Sequence, residues 1–233
     1  MLSSFWEGST QVSTRTMSIR SLCAAVSLAA AVSFAAVVSC TVQPSLDFTC
    51  DELSLIHGAD SIMRVLTIDN PADSFVLRDV STDLSAEALL SEDFAKLSGL
   101  MIATVTHPSQ DGVGIAAPQV GINRRVVAVQ RFDKEGEPFE FFVNPEIVEM
   151  GDEWAVGGEG CLSVPEISGP VERAQSLVLR YRDAEFVEHT EHIEGFTAVI
   201  FQHEIDHLNG TLFIDKMLPE DELMEEELDE EVE

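Results

Sequence analysis

The residues with the clearest chemical potential lie near the C-terminal end of the chain, where His203, Glu204 and His207 form an H-E-x-x-H pattern. Histidines at positions i and i+4 of a helix lie on one face about one turn apart, and two neutral imidazoles placed in this way can bind one divalent metal ion. Glu204 could then take a proton from a water that the metal activates. The apolar flanking residues indicate a buried helix. The pattern predicts metal-assisted hydrolysis.

A catalytic metal site usually has three protein ligands and one open position, so a third ligand is needed from another part of the chain. The four histidines outside the motif have no setting that favours this role. Cys161 is the better candidate because glycines precede it at 157, 158 and 160, and a glycine-rich backbone can approach another group closely. A thiolate is a good ligand for zinc or ferrous iron. The alternative is an inert buried cysteine.

A second glycine-rich segment, residues 112–121, reads G-V-G-I-A-A-P-Q-V-G. It lacks the lysine and the serine or threonine of a phosphate-binding loop. Its small residues indicate a backbone packed against a site or a neighbouring strand. Gln119 is the polar exception, and its amide could donate to a developing oxyanion. Taken alone, the segment would be a structural turn.

Together, the three segments resemble the peptide deformylase family. That family carries G-x-G-x-A-A-x-Q, E-G-C-L-S and Q-H-E-x-D-H-L-x-G in this order, and the matching residues here are 112–119, 159–163 and 202–210. About forty residues separate successive motifs. The resemblance extends from about Met63 to Met217, and three ordered matches are far more specific than any one of them.

The resemblance implies a chemical role for each matching position. Glu204 would be the general acid and base, while the Gln119 side chain and the Leu162 backbone N–H would stabilise the oxyanion. The implied metal ligands are Cys161, His203 and His207. The implied substrate-pocket residues are Val113, Gly114, Glu159, Gly160, Phe196, Val199 and Ile200. Gln202 and Asp206, together with Glu159, would orient the ligands.

The reaction that this resemblance implies is removal of the formyl group from N-formyl-methionyl peptides or nascent chains, with release of formate. Ferrous iron is the native ion that the resemblance favours. A cysteine and two histidines also accept zinc, nickel or cobalt, so the ligand types leave the metal open.

The composition is strongly acidic, with 13 Lys and Arg residues against 42 Asp and Glu residues and a formal net charge of −29. Direct nucleic-acid binding is not expected, because phosphate backbones are bound by Lys and Arg. Residues 219–233 are mostly Asp and Glu, and we interpret them as a solvated acidic tail.

The N-terminal residues 1–40 have the layout of a secretory signal, since Arg15 and Arg20 precede an uncharged, alanine-rich stretch. Residues 37–40 resemble the site at which bacterial lipoproteins are cut and acylated, here on Cys40. The chain would then be exported and membrane-anchored; it would be cytoplasmic if the signal does not work. An uncleaved anchor is the alternative, and without acylation a Cys40–Cys50 disulfide becomes feasible. The initiator is either Met1 or Met17.

The fold that positions these residues is predicted to be α+β, with mixed or antiparallel strands around a central metal-binding helix and a second long, amphipathic helix nearer the N-terminus. Residues 41–60 are interpreted as a linker and residues 61–218 as the catalytic domain. The predicted helices are 85–106 and 196–209, the latter ended by Gly210. The predicted strands are 63–68, 125–130, 139–145, 147–150 and 177–181.

Two other functions remain consistent with the residues. One is a metallopeptidase that shares only the H-E-x-x-H helix and takes its third ligand from further downstream. The other is a metal-binding lipoprotein of the same fold that has lost turnover.

Overall fold

A computed structural model describes residues 47–219 of the chain. The segment interpreted as a signal or anchor (1–40, including Cys40) lies outside these residues, as does nearly all of the acidic tail. In the part of the chain that the structure describes, no helix combines the length and the apolar character needed to cross a bilayer.

Seven strands form one five-stranded antiparallel sheet and one separate two-stranded hairpin, as the antiparallel α+β prediction expected. The strands are β1 (Gly114–Ala116), β2 (Val126–Gln130), β3 (Phe139–Met150), β4 (Trp154–Cys161), β5 (Val164–Ala174), β6 (Ser176–Arg182) and β7 (Glu188–Glu194). The large sheet has the order β1-β2-β3-β6-β7, and among residues 47–219 the strand β4 pairs only with β5. The helices are α1 (Cys50–Gly58), α2 (Pro71–Leu77), α3 (Ala86–Leu89), α4 (Glu92–Val105) and α5 (Gly195–Leu208).

Helix α5 packs against one apolar face of the large sheet. Ala198, Phe201 and Leu208 of α5 are completely buried and lie in one cluster with Val127 and Val129 of β2. At about 25 cal/mol per Å² of apolar surface, this burial is the main force that holds the helix in place. Two glycines with positive φ flank the helix, at 195 and 210. A Cβ at Gly210 would lie 2.4 Å from the Arg78 carbonyl oxygen, so only glycine fits there.

The prediction of one continuous helix over residues 85–106 is wrong. The structure has two helices, α3 and α4, because Ser91 starts a new helix by accepting a hydrogen bond from the Phe94 N–H at 3.2 Å. The apolar periodicity that suggested one helix is nevertheless real in α4, where Leu97, Met101 and Val105 are buried against the other side of the sheet.

The strand predicted at residues 63–68 is also wrong, because these residues pair with no sheet strand among the described residues. The segment is extended but makes single backbone bonds instead: Leu66 donates to the Gln119 carbonyl and Ile68 to the Ser163 carbonyl. It therefore ties together two segments that contribute to the site. Similarly, the strands predicted at 139–145 and 147–150 are one strand, β3, with a bulge where Asn144 adopts φ 50°.

The stretch interpreted as a linker contains a helix, α1. Thr49 and Glu52 form a reciprocal capping box at its start. Apolar periodicity did not reveal this helix because it has only nine residues. Ile56 is fully buried, and the buried Glu52 accepts hydrogen bonds from Arg124. This helix is therefore packed onto the domain.

Candidate active site

The three residues interpreted as metal ligands come together from two separate elements. Helix α5 supplies His203 and His207, and the end of β4 supplies Cys161. Their ligand atoms all lie within 4.8 Å of one another. The Cys161 Sγ is 3.2 Å from His207 Nε2, which is near the ~3.5 Å spacing of two ligands on one tetrahedral ion.

Hydrogen-bond donors surround the Cys161 sulfur. The Ser163 N–H lies 3.4 Å away and Gln119 Nε2 lies 3.6 Å away. The Gln119 amide is oriented by its other end, because Oε1 accepts the Ala116 N–H at 2.8 Å and so directs Nε2 toward the sulfur and Ser163 Oγ. Both groups can donate hydrogen bonds to a sulfur that ligates a metal ion.

A buried ion-pair network fixes the first histidine. His203 Nδ1 donates to Glu159 Oε2 at 2.8 Å, which leaves Nε2 for a metal. Glu159 also accepts two hydrogen bonds from Arg173, at 2.7 and 3.0 Å, and Arg173 donates to Asp206 at 2.6 Å. Lys216 then contacts Asp206 at 2.8 Å. The network runs from the surface to a metal ligand.

The sequence interpretation missed Arg173 and Lys216. Arg173 is 3% exposed, and it lies within the hairpin strand β5. The sequence offered one indication of a role for Arg173, which is an arginine between Glu172 and Ala174 in a chain with few cationic residues. This pattern does not distinguish a buried arginine from one at the surface. Asp206 was expected to orient the ligands, and it does contact this network.

The other residue expected to orient the ligands is Gln202, which plays a different part. Its amide hydrogen-bonds both the N–H and the carbonyl of Ala174, at 3.1 and 2.8 Å, and also the Ala198 carbonyl. Gln202 thereby attaches α5 to β5. Its hydrogen bonds within the described residues go to backbone groups and not to a ligand side chain.

The charges of the site favour a bound cation. Burial lowers the pKa of His203, but hydrogen bonds to Cys161 and Glu159 outweigh it and raise this pKa to about 10. Burial and the positive charge on His203 hold the pKa of His207 well below its usual value. Burial of Glu159 would raise its pKa, but His203 and Arg173 lower it to about 2. The buried Glu159 carboxylate is thus paired with both His203 and Arg173.

The Glu204 carboxylate lies beside the proposed ligands, where it is buried and has few hydrogen-bond partners. It is 4% exposed, and its Oε2 atom has no hydrogen-bond partner among residues 47–219. Burial is the main cause that raises the pKa of Glu204 to about 7. A Cβ at Gly114 would lie 2.5 Å from Glu204 Oε1, so the glycine at that position makes room for the carboxylate. A carboxylate poised near neutrality is suited to move protons.

A pocket of about 380 Å³ opens onto this cluster. Two of the metal-binding candidates, Cys161 and His203, line it together with Glu204, Gln119 and Leu162. It is also lined by all the residues expected in the substrate pocket, which are Val113, Gly114, Glu159, Gly160, Phe196, Val199 and Ile200. Gln110, Asp111, Gly112 and Gly158 complete its lining. The structure therefore brings the predicted residues to one concave surface.

These observations test whether the residues fit a metal. The donor set is one thiol and two imidazoles, one imidazole is oriented through Nδ1, and an unpaired buried carboxylate lies at the same place. This combination suits a catalytic divalent ion with three protein ligands and one open position. The residues fit such an ion.

Comparisons with known proteins agree with this geometry. The profile of the polypeptide deformylase family matches residues 62–222. A peptide deformylase from Leptospira biflexa is 38% identical over 164 residues, which cover 67% of this chain and 88% of that protein. A peptide deformylase from Caulobacter vibrioides is 40% identical over 159 residues, with the same two coverages of 67% and 88%.

Solved structures give the same result for the fold. A crystal structure of peptide deformylase from Thermotoga maritima superposes with a TM-score of 0.60 at 37% identity, and the match covers 69% of this chain and 100% of that one. A class I type b peptide deformylase from Acinetobacter baumannii gives 0.61 at 37% identity, with 68% and 100% coverage. The metallopeptidase and non-catalytic lipoprotein alternatives are not supported by these matches. The chain belongs to the peptide deformylase family.

Proposed function

We propose that this peptide deformylase hydrolyses the formyl amide of N-formyl-methionyl peptides or nascent chains at the site formed by Cys161, His203 and His207. The observation that carries the assignment is the convergence of these three donors beside the unpaired Glu204 carboxylate. Ferrous iron is the proposed native ion, and zinc, nickel or cobalt would also suit the ligands. Such an ion, when bound, would lower the pKa of a coordinated water and polarise the formyl oxygen.

Glu204 is proposed to move the protons of the reaction. Its carboxylate first takes a proton from the attacking water and then returns it to the leaving amine, so that formate and a free N-terminus are produced. A pKa of about 7 suits both steps, because the group can exist in either protonation state near neutral pH. The lack of a partner on Oε2 leaves that atom available for the water.

Gln119 Nε2 and the Leu162 backbone N–H are proposed to stabilise the negative oxygen that forms during the attack. Gln119 is held from its carbonyl end by Ala116, so it does not need to reorganise when the charge develops. Loss of one such donor typically raises the barrier by about 3 kcal/mol.

The methionine side chain is proposed to enter the apolar part of the pocket. Val113, Phe196, Val199 and Ile200 form this part of the pocket lining. A related structure from Acinetobacter baumannii, at 36% identity and a TM-score of 0.60, contains bound Met-Ala-Ser. This supports formyl-Met-Ala-Ser as a test substrate.

The test is formate release from formyl-Met-Ala-Ser by protein purified without oxygen, with and without added ferrous iron. Glu204→Ala should retain the metal, since Glu204 is not a proposed ligand, but should lose formate release. Cys161→Ser is the complementary variant and should lose metal affinity as well as activity. Unchanged formate release by the Glu204→Ala protein would contradict the proposed mechanism.

A separate proposal concerns location and rests on residues 1–40 alone. Their basic start, apolar stretch and Cys40 support export and lipid anchoring. The mass of the mature N-terminus tests this proposal: cleavage before an acylated Cys40 would support it, and an intact Met1 or Met17 terminus without lipid would contradict it.

A further inference from the structure

A short extended segment, residues 63–68, contacts both of the segments that carry the proposed oxyanion donors, and we call it the strap. The Leu66 N–H donates to the Gln119 carbonyl at 2.8 Å, and the Ile68 N–H donates to the Ser163 carbonyl at 3.0 Å. Gln119 supplies one oxyanion donor through its side chain, and Ser163 directly follows the residue that supplies the other. A shift of the strap would therefore move the backbone at both positions.

The Asp73 carboxylate fastens the strap at two points. It accepts two hydrogen bonds from the Arg64 guanidinium, at 2.5 and 2.8 Å, and its Oδ2 atom also accepts the Thr67 N–H at 3.3 Å. Thr67 is the middle one of three residues whose outer two bond the oxyanion segments, so Asp73 holds the strap at its centre. Asp73 lies in the first turn of α2, and its side chain is only 6% exposed.

Side-chain packing is incomplete on the side of the strap that carries this ion pair. A cavity of about 540 Å³ lies there, and Arg64 and Asp73 line it together with apolar residues of the strap, α1 and α2. An unfilled space supplies no opposing atoms, so part of the restraint that packing would give is missing. The start of the strap is held separately, because the Met63 N–H donates to Thr104 Oγ1 at 2.8 Å. At its centre, the strap depends on the charged hydrogen bonds of Asp73.

We propose that Asp73 is a positioning residue for the deformylation reaction, because it holds the strap and the strap holds both oxyanion donors. The inference rests on the proposed function, since that function assigns those donors to the reaction. Among residues 47–219, Asp73 is not part of the lining of the active-site pocket. Its loss should therefore lower kcat and leave KM unchanged, as expected when stabilisation is lost only in the transition state.

The experiment measures kcat and KM for formyl-Met-Ala-Ser with the wild-type protein and with Asp73→Ala, each expressed per metal-loaded molecule. A misplacement of about 1 Å can cost about 100-fold in rate, and a smaller shift of the donors should lower kcat by about tenfold. KM should stay within about twofold, because the apolar pocket residues lie outside the strap. An unchanged kcat, or a loss that appears in KM alone, would overturn the proposal.

Asp133→Ala is the matched control for the loss of a paired aspartate. Asp133 also accepts two hydrogen bonds from one arginine, Arg131, at 2.8 and 2.6 Å, and within the described residues this pair makes no hydrogen bond to the strap. The control should keep kcat within about twofold of the wild type, since the two sites are independent. An equal fall of kcat in both variants would show that lost stability explains the effect, and would overturn the positioning role.

Arg64→Met is the second variant, and it serves if Asp73→Ala does not fold. The Arg64 side chain is 65% exposed, and its removal leaves the Thr67 bond to Asp73 in place. The kcat of this variant should fall by about threefold, with KM unchanged, because the strap loses only one of its two attachments to Asp73. An unchanged kcat in the folded Arg64→Met protein would also overturn the proposal.

A double variant tests whether Asp73 acts through the oxyanion donors. In the Gln119→Ala protein one donor is already absent, so adding Asp73→Ala should lower kcat by about threefold or less instead of about tenfold. A further tenfold loss would mean that Asp73 acts elsewhere, and would overturn the proposal. Absence of formate from the wild-type protein would instead contradict the proposed function. Normal wild-type turnover without an effect of Asp73→Ala would overturn only the positioning role.

Discussion

Arg131 and Arg173 are both buried and form similar ion-pair networks, but of these two networks only that of Arg173 reaches the active site. Arg173 is 3% exposed and Arg131 is 1% exposed. Arg173 pairs with Glu159 and Asp206, and Glu159 holds His203, one of the proposed metal ligands. Arg131 pairs with Asp133, Glu140 and Glu191 on the α5 side of the large sheet, beside the Phe142 and Phe201 rings.

The difference lies in what surrounds the carboxylates. Those paired with Arg173 have side chains only 8% and 14% exposed, whereas those paired with Arg131 are 26% to 34% exposed. The Arg131 guanidinium also lies 5.7 Å from the ring centre of Phe142 and 6.0 Å from that of Phe201. Arg131 therefore supports the packing of the sheet against α5, while Arg173 additionally orients a ligand. Burial of an arginine does not by itself indicate a functional role.

Replacing Arg173 is expected to have the largest effect. Arg173→Met removes the buried cation that Glu159 and Asp206 share, which should lower the free energy of unfolding by about 3–5 kcal/mol. It should also lower metal affinity by about 10–100-fold, because Glu159 no longer holds His203 in one orientation. Urea unfolding and chelator competition with cobalt or zinc measure the two effects. Unchanged metal affinity in folded protein would show that Arg173 is only structural.

Replacing Arg131 should affect stability alone. Arg131→Met should lower the free energy of unfolding by about 1–3 kcal/mol, less than Arg173→Met because its partly exposed carboxylates can be hydrated. Metal affinity, and kcat/KM per folded molecule, should remain at the wild-type level. The same two measurements apply, and a loss of metal affinity comparable to that of Arg173→Met would break the distinction between the networks.

The Arg131 network should also affect how the free energy of unfolding depends on pH. The hydrogen bond from Arg131 lowers the pKa of Asp133, and for Glu191 the bond to Arg131 outweighs the opposing effect of burial, so that this pKa is also lowered. Groups with depressed folded pKa values stabilise the protein above their ordinary values of 3.8 and 4.5, and this stabilisation is lost as the pH falls below them. Urea unfolding from pH 6 to pH 3 should therefore show a shallower decline in Arg131→Met than in the wild type. Equal declines would contradict this account.

The smallest effect is expected at the exposed end of the Arg173 network. The Lys216 side chain is 43% exposed and pairs with Asp206 at 2.7 Å. Because Asp206 keeps Arg173 as a partner, Lys216→Met should change the free energy of unfolding by about 0–1 kcal/mol and leave metal affinity unchanged. Thermal unfolding with a cobalt titration provides the check. A large loss of metal affinity would mean that the network acts as a unit from its surface end.

Local patterns in the sequence were sufficient to find most of the residues that gather at the site. The spacing of His203 and His207 predicts one helical face, and α5 has that face. Cys161 and Gln119 were found through their glycine-rich surroundings and through the order of the three motifs. The α+β class was also predicted, from strand-like segments around two helices, with the strands expected to be mixed or antiparallel.

Other features depended on contacts between distant segments. Residues 63–68 have strand-like side chains, yet their backbone bonds are divided between Gln119 and Ser163, so they belong to no sheet. Ser91 interrupts a continuous apolar periodicity by capping α4, which side-chain hydrophobicity does not encode. In both cases the hydrogen-bond partner, rather than the apolar pattern, decided the local structure.

The sequence by itself determined which side chains can bind a metal, move a proton and stabilise an oxyanion, because those properties belong to residue types and to spacing along one helix. Only the tertiary structure decided that Arg173 fixes Glu159 rather than facing solvent, and that Gly114 makes room for Glu204. Each of these depends on distances between elements far apart in the chain, and such distances are set by packing of the whole domain.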